Sequence, residues 1–322
     1  MREPDLQGIV RQRAVNGVVL LAGPTCSGKT ELAIELAERF DAEIIGADSR
    51  QIYRGMPIGT AAPTSQQRAR VAHHLIAILE PQERYSAARF VHDALAAIEA
   101  IVARGKGAIV VGGTGFYLRA LAGDVALSAA YDERLRARLA REAHIHPPEV
   151  LHEWLTVRAP ARAAALAPSD RYRIARALEI ALAAPDSLRD DILSRRSLRS
   201  AALPFVKIAL DIEAALLDER IAARVDAMLA AGFVAEAERI GAHAVASDAV
   251  GYPQALAFTA GWSTARELRS VLIRATRRYA KRQMTWLRSE PGIRWAKPAD
   301  VADLIVDALG WRARRRMASR AT

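Results

Sequence analysis

The sequence predicts an α/β fold: a P-loop core with a parallel β-sheet flanked by helices, plus a helical insertion domain. Three observations predict it. A complete G-x-x-x-x-G-K-[ST] motif directly follows an apolar run, short apolar runs alternate with helical patterns around it, and one long internal stretch carries helical patterns only. Such apolar runs suit strands buried on both faces of a parallel sheet, and ligands of these sheets gather at the strand carboxyl ends.

The first strand is Val18–Ala22, and out of it runs Gly23-Pro24-Thr25-Cys26-Ser27-Gly28-Lys29-Thr30. Apolar residues at helical spacing follow as far as Phe40. In such a loop the glycines let backbone N–H groups converge on phosphate oxygens. Lys29 adds a point charge, and Thr30 at the helix start can offer its hydroxyl to Mg2+. Further strands are predicted at 43–46, 108–111 and 205–212. A helix is predicted over Ala87–Ala103, where Phe90, Val91, Ala94, Leu95, Ile98 and Val102 recur every three or four residues ahead of Gly105. From 123 to 199 the pattern is wholly helical, with helices at 134–143, 148–157 and 170–182. The expected domains are therefore 1–122, the first part of the core; 123–199, the insertion; and 200–322, a return strand followed by helices at 216–231, 234–240 and Ala265–Arg288. The basic tail from Arg312 is expected to fray.

A chain of 322 residues, 51% hydrophobic, can bury a substantial core. Its formal charge of +10 suits a large polyanionic partner such as nucleic acid, although an Arg- and Ala-rich composition can also reflect genome bias. Cys26 is the single cysteine, so no intramolecular disulfide forms and a reducing compartment, the cytoplasm, is expected. Residues 1–16 lack the apolar core of a secretory signal, and no run is long enough to span a bilayer. The histidines, including the His73-His74 pair, have no cysteine partners at metal-ligand spacing.

The loop after the second strand, Asp48-Ser49-Arg50-Gln51-Ile52-Tyr53-Arg54, emerges near the phosphate loop. Asp48 there can act as a base, a metal contact or an acceptor for a substrate hydrogen bond; it can equally cap the following helix. The strand at 108–111 ends in Gly112-Gly113-Thr114-Gly115, with no acid where a P-loop hydrolase holds its metal. Group transfer therefore fits better than a nucleotide-driven cycle. Arg173 and Arg176 share a helical face, and 275–288 brings Arg278, Lys281 and Arg282 together with Tyr279 and Trp286. Both segments suit phosphate backbones and base stacking, or simply solvated faces.

Taken together, these segments resemble the tRNA dimethylallyltransferase (tRNA isopentenyltransferase) family. The resemblance runs from Val18 to about Trp295 and rests on five pieces in family order: 23–30, 48–60, 112–115, 173–179 and 276–288. It implies transfer of a dimethylallyl group from dimethylallyl diphosphate to N6 of the adenosine 3′ of the anticodon, with Mg2+, on a nucleotide flipped out of the anticodon loop. Asp48 matches the family's general base, Thr25 a residue near the donor, and Arg224 an arginine at the diphosphate end, while 23–30 would hold that diphosphate. Contacts to tRNA are implied for Asp48, Ser49, Arg50, Gln51, Thr114, Arg136, Tyr172, Arg173, Ile174, Ala175 and Arg176, with the insertion acting as a clamp on the anticodon stem-loop. A monomer is expected. The chain departs from the family pattern at Arg158-Ala159-Pro160, at Pro253 and near Asp211-Ile212-Glu213. The alternatives are an isopentenyltransferase acting on free adenine nucleotides and a P-loop kinase using ATP or GTP. A non-catalytic RNA-binding protein would leave the phosphate loop and Asp48 unexplained.

Overall fold

The run VVLLA forms a strand with all five residues buried, as a strand covered on both faces requires. The computed structural model describes residues 17–125, 127, 133–183 and 196–313. Its strands are β1 (Val18–Ala22), β2 (Ala42–Gly46), β3 (His73–His74), β4 (Gly107–Gly112), β5 (Phe205–Leu210) and β6 (Ile293–Ala296). They form one parallel sheet in the order β3-β2-β4-β1-β5-β6. One face of the sheet packs Val19, Leu21, Ile44, Ile109 and Ile208 against helices Lys29–Phe40 and Val301–Leu309. Helix Ala87–Ala103 packs on β2 and β4 and against helix Gly115–Ala122. Beyond the strand ends, helices Ala214–Ala230, Phe233–Ile240, Tyr252–Thr259 and Ala265–Arg288 share a second core with Ile52 and Met56 from the loop after β2.

The edge strands β3 and β6 carry no sequence signal of their own. β3 is two residues long, and β6 reads Ile-Arg-Trp-Ala with Arg294 and Trp295 exposed, which suits an edge rather than a buried run. The predicted strand at 205–212 stops at Leu210, although Asp211 N still donates to Ala296 O at 2.9 Å. The helices Gly115–Ala122, Tyr252–Thr259 and Val301–Leu309, each of eight or nine residues, lie where none was predicted. Pro253 falls in the first turn of Tyr252–Thr259, where a missing N–H costs little.

The chain divides into two compact units, residues 1–124 with 197–322, and residues 125–196. The smaller unit has its own core, in which Leu139, Leu151, Leu155, Ile174 and Leu178 come from helices Glu133–Ile145, Pro148–Arg158 and Arg171–Leu182. In the larger unit, the residues that flank the interruption are held side by side. Leu198 N donates to Leu121 O at 2.8 Å, and Arg199 pairs with Asp124 at 2.8 Å. Buried Lys207 on β5 joins Asp124 to Glu290. The segment 1–16 and the tail from 314 lie outside the described residues.

Candidate active site

The phosphate loop leaves β1 and enters helix Lys29–Phe40 through Gly28, whose φ of +86° is left-handed and easy only for glycine. A Cβ at Gly23 would lie 2.7 Å from Ser27 Oγ, so any side chain there would force Ser27 to move. Lys29 Nζ donates to Pro24 O at 3.2 Å, arching across the loop. Burial pushes the Lys29 pKa down, Asp48 opposes that shift, and Arg224 adds to it. Lys29 is half-buried, and its charge feels both the Asp48 carboxylate and the Arg224 guanidinium.

Asp48 stands just past the end of β2, and β4 lies between β2 and β1. The phosphate loop and the Asp48 loop are therefore one strand further apart than neighbouring strands would place them. The end of β4 that lies between them is built of glycines because its neighbours pack directly against its backbone. A Cβ at Gly112 would lie 2.0 Å from Ala47 O, one at Gly113 2.2 Å from Gln283 Nε2, and one at Gly115 2.2 Å from the Trp286 ring. The Gly112-Gly113-Thr114-Gly115 sequence thus answers three separate close approaches. Asp48 Oδ1 accepts the Arg50 and Gln51 N–H groups at 2.9 and 3.4 Å. Oδ2 has no hydrogen-bond partner among the described residues. Thr114 Oγ1 accepts Ser49 N–H at 2.9 Å, Arg50 pairs with Asp248 at 2.8 Å, and the Gln51 amide donates to Thr60 O and Ala61 O at 3.1 Å.

Two residues from the C-terminal helices reach back to Thr25. Arg224 Nη1 donates to Thr25 Oγ1 at 2.7 Å, while Gln283 Oε1 accepts Thr25 N–H at 2.8 Å and its Nε2 donates to Gly113 O at 3.0 Å. Buried Gln283 therefore ties the phosphate loop to the end of β4. The sequence reading passes over it among the charged neighbours of its helix. A signal was present: an uncharged polar residue on the apolar face of an otherwise basic helix. These loops and helices enclose a groove of about 1150 Å³. Thr25, Lys29, Thr30, Asp48, Arg224 and Gln283 line it, together with Ser49, Arg50, Gln51, Tyr279 and Arg282. Arg278 and Lys281 are exposed and do not line it. His73 and His74 bond to Val71 O and to Glu43, and the described residues hold no His, Cys, Asp or Glu cluster able to bind a metal by itself.

A model of the IPP transferase family matches residues 51–290. The chain belongs to the IPP transferase family. Among curated relatives, the tRNA dimethylallyltransferase of Anaeromyxobacter dehalogenans is 45% identical over 87% of this chain and 95% of its own length. That of Geobacter sulfurreducens is 41% identical over 87% and 91%. The crystal structure of full-length tRNA isopentenylpyrophosphate transferase from Bacillus halodurans matches with a TM-score of 0.67 and 34% identity, over 92% of this chain and 97% of that one. A eukaryotic dimethylallyltransferase seen in crystallographic snapshots acting on tRNA matches with a TM-score of 0.69 and 25% identity, over 91% and 76%.

In this IPP transferase family member, the remaining RNA-contact candidates lie in the smaller unit. Tyr172 is 75% exposed, and Arg173 is exposed and pairs with Asp170 at 3.3 Å. Ile174 is a correction: its side chain is fully buried in the unit's core and presents no surface to RNA. Ala175 is half-buried beside it. Arg176 turns toward buried Glu179 at 2.5 Å, an ion pair without an aligned hydrogen bond, and Arg136 reaches the same carboxylate at 3.9 Å. Arg173 and Arg176 therefore do different work despite their helical spacing. Arg176→Ala is expected to destabilise the helical unit by up to about 3 kcal/mol, because it strips a buried carboxylate of its nearer partner. Arg173→Ala should leave the unfolding midpoint unchanged. Denaturant unfolding of the two variants checks the contrast.

Proposed function

We propose that this chain transfers the dimethylallyl group of dimethylallyl diphosphate to N6 of the adenosine 3′ of the anticodon in tRNA, releasing diphosphate. It does so as a cytoplasmic monomer acting on the anticodon stem-loop. The observation that carries this reading is one groove lined together by Lys29 and Thr30 of the phosphate loop, by Asp48 and by Arg224. Such a groove holds a diphosphate leaving group and a proton acceptor around one reacting carbon.

In the transfer the N6 lone pair forms a bond to C1 of the prenyl group as the C1–O bond breaks, and that bond's electron pair leaves with the diphosphate. The N6 proton passes to the unengaged Oδ2 of Asp48. Lys29, the loop N–H groups and Arg224 stabilise the charge that grows on the diphosphate. Mg2+ is a hard ion that keeps several waters and binds through one or two protein oxygens plus substrate phosphates. The single hydroxyl of Thr30, lining the groove beside Lys29, fits that demand. When bound, the ion would neutralise charge on the leaving group. Tyr279, whose burial pushes its pKa up, stays a neutral phenol on the groove wall and offers its ring to a base.

The test is purified protein with Mg2+ and labelled dimethylallyl diphosphate, offered unmodified tRNA or AMP, with labelled ATP in parallel. Label in tRNA is expected. Label in AMP alone would move the acceptor to free nucleotides, and transfer only from ATP would replace the reading with a kinase. Gln283→Leu removes both bonds that tie Thr25 to Gly113. It is expected to raise the donor KM by about tenfold while leaving tRNA affinity unchanged, as measured by initial rates and filter binding.

A further inference from the structure

Helix Ala265–Arg288 presents a ridge of residues four apart: Arg266, Ser270, Arg274, Arg278 and Arg282. All five are exposed. Side chains at this spacing follow one another along a helix at about 6 Å of rise, so the ridge climbs about 24 Å while winding about 160° around the helix, as a backbone wrapping it would. Its last member, Arg282, lines the groove and lies over the Tyr279 ring at 5.7 Å. At its other end Trp262 is 83% exposed, beside an open depression of about 460 Å³ that Arg266 and Arg274 also line.

The arginines of this helix are treated unequally. Arg269 and Arg277 point to helix Ala214–Ala230 and are neutralised there by Asp226 at 2.6 Å and Asp218 at 3.0 Å. Among the described residues, Arg266, Arg274 and Arg278 make no ion pair. Glu267, the nearest carboxylate in sequence, is committed to capping Thr264 at 2.7 Å. A line of unneutralised guanidiniums that ends at the catalytic groove, with an exposed indole at its far end, has the chemistry of a track for a phosphodiester backbone.

We infer that this ridge is a second RNA-docking surface, which carries the polynucleotide backbone away from the groove while Trp262 stacks on a base or ribose beyond the modified loop. The inference rests on the part of the proposed function that makes tRNA this chain's RNA ligand, and it extends the interface to Trp262, Arg266 and Arg274. It predicts that affinity depends on RNA outside the anticodon stem-loop. In the experiment, filter binding between 50 and 300 mM salt compares wild-type protein, Arg266→Gln/Arg274→Gln and Trp262→Ala, each with full-length tRNA and with the isolated anticodon stem-loop. The double variant should bind full-length tRNA about tenfold more weakly at low salt, with a log–log salt slope smaller by about two, and bind the stem-loop as wild type does. Trp262→Ala should weaken full-length binding with an unchanged slope. Arg266→Lys/Arg274→Lys should retain the slope, which separates lost charge from lost folding. An unchanged slope in the Gln variant, or equal losses on both RNAs, overturns the ridge. Prenyl transfer by the wild type is scored separately. If tRNA receives no label yet the slope still falls, the enzymatic reading fails and the ridge stands.

Discussion

Asp48→Asn is expected to lower single-turnover transfer by about a thousandfold, while tRNA affinity stays within about twofold of wild type. The asymmetry follows from how the carboxylate is held. Oδ1 is committed to the Arg50 and Gln51 N–H groups, which fix the loop, and Oδ2 is left for chemistry. An asparagine oxygen can keep the first set of bonds but cannot take up a proton. Asp48→Ala removes both functions, and its additional loss over Asp48→Asn measures how much the turn contributes to positioning. If Asp48→Asn lost tRNA affinity in proportion to rate, Asp48 would be a structural contact and another group would have to accept the N6 proton.

Lys29→Ala should cost about 10²- to 10³-fold in kcat/KM for the prenyl diphosphate, because a positive charge is withdrawn from a site where negative charge develops in a partly desolvated groove. A pH experiment separates this from mere loop collapse. Burial sets the Lys29 pKa below the ordinary 10.5, so in the free enzyme the ammonium loses its proton earlier than a surface lysine does. kcat/KM for the donor should therefore decline on the alkaline side before pH 10.5, and Lys29→Arg, whose charge persists, should abolish that decline. Stability runs the other way. The unfolded chain still holds this proton where the folded one has released it, so between the two values the contribution of Lys29 to stability rises with pH. A profile that is flat in wild type and Lys29→Arg alike would remove the lysine from the charge-stabilising role.

The sheet and its phosphate loop were legible because their signals are local: continuous apolar runs, a glycine-lysine spacing, and helices whose apolar faces repeat every three to four residues. Helices Ala87–Ala103 and Ala265–Arg288 matched to the residue for that reason. The edge strands were not legible, since pairing on one side only lets Arg294 and Trp295 take the place of buried aliphatics. The site divided in the same way. Lys29, Thr30 and Asp48 stand in recognisable loops, but the Gln283 bridge spans 258 residues to Thr25 and 170 to Gly113, so only the folded chain brings it to them. The spacing that puts Arg173 and Arg176 on one helical face could not show that Arg176 also pairs with buried Glu179 one turn further on, because that partner's burial is set by the unit's core.

The joining of Leu121 to Leu198 and of Asp124 to Arg199 has a consequence for how such a chain can be cut and rebuilt. The two stumps at which the main chain leaves and re-enters the larger unit are already hydrogen-bonded neighbours. A linker of a few residues could therefore replace 125–196, and bridging so short a gap costs little closure entropy. The sheet, the phosphate loop and the groove would keep every covalent and hydrogen-bonded support described for them. In this architecture the two ends of the larger unit are already joined across the point where the helical segment is inserted.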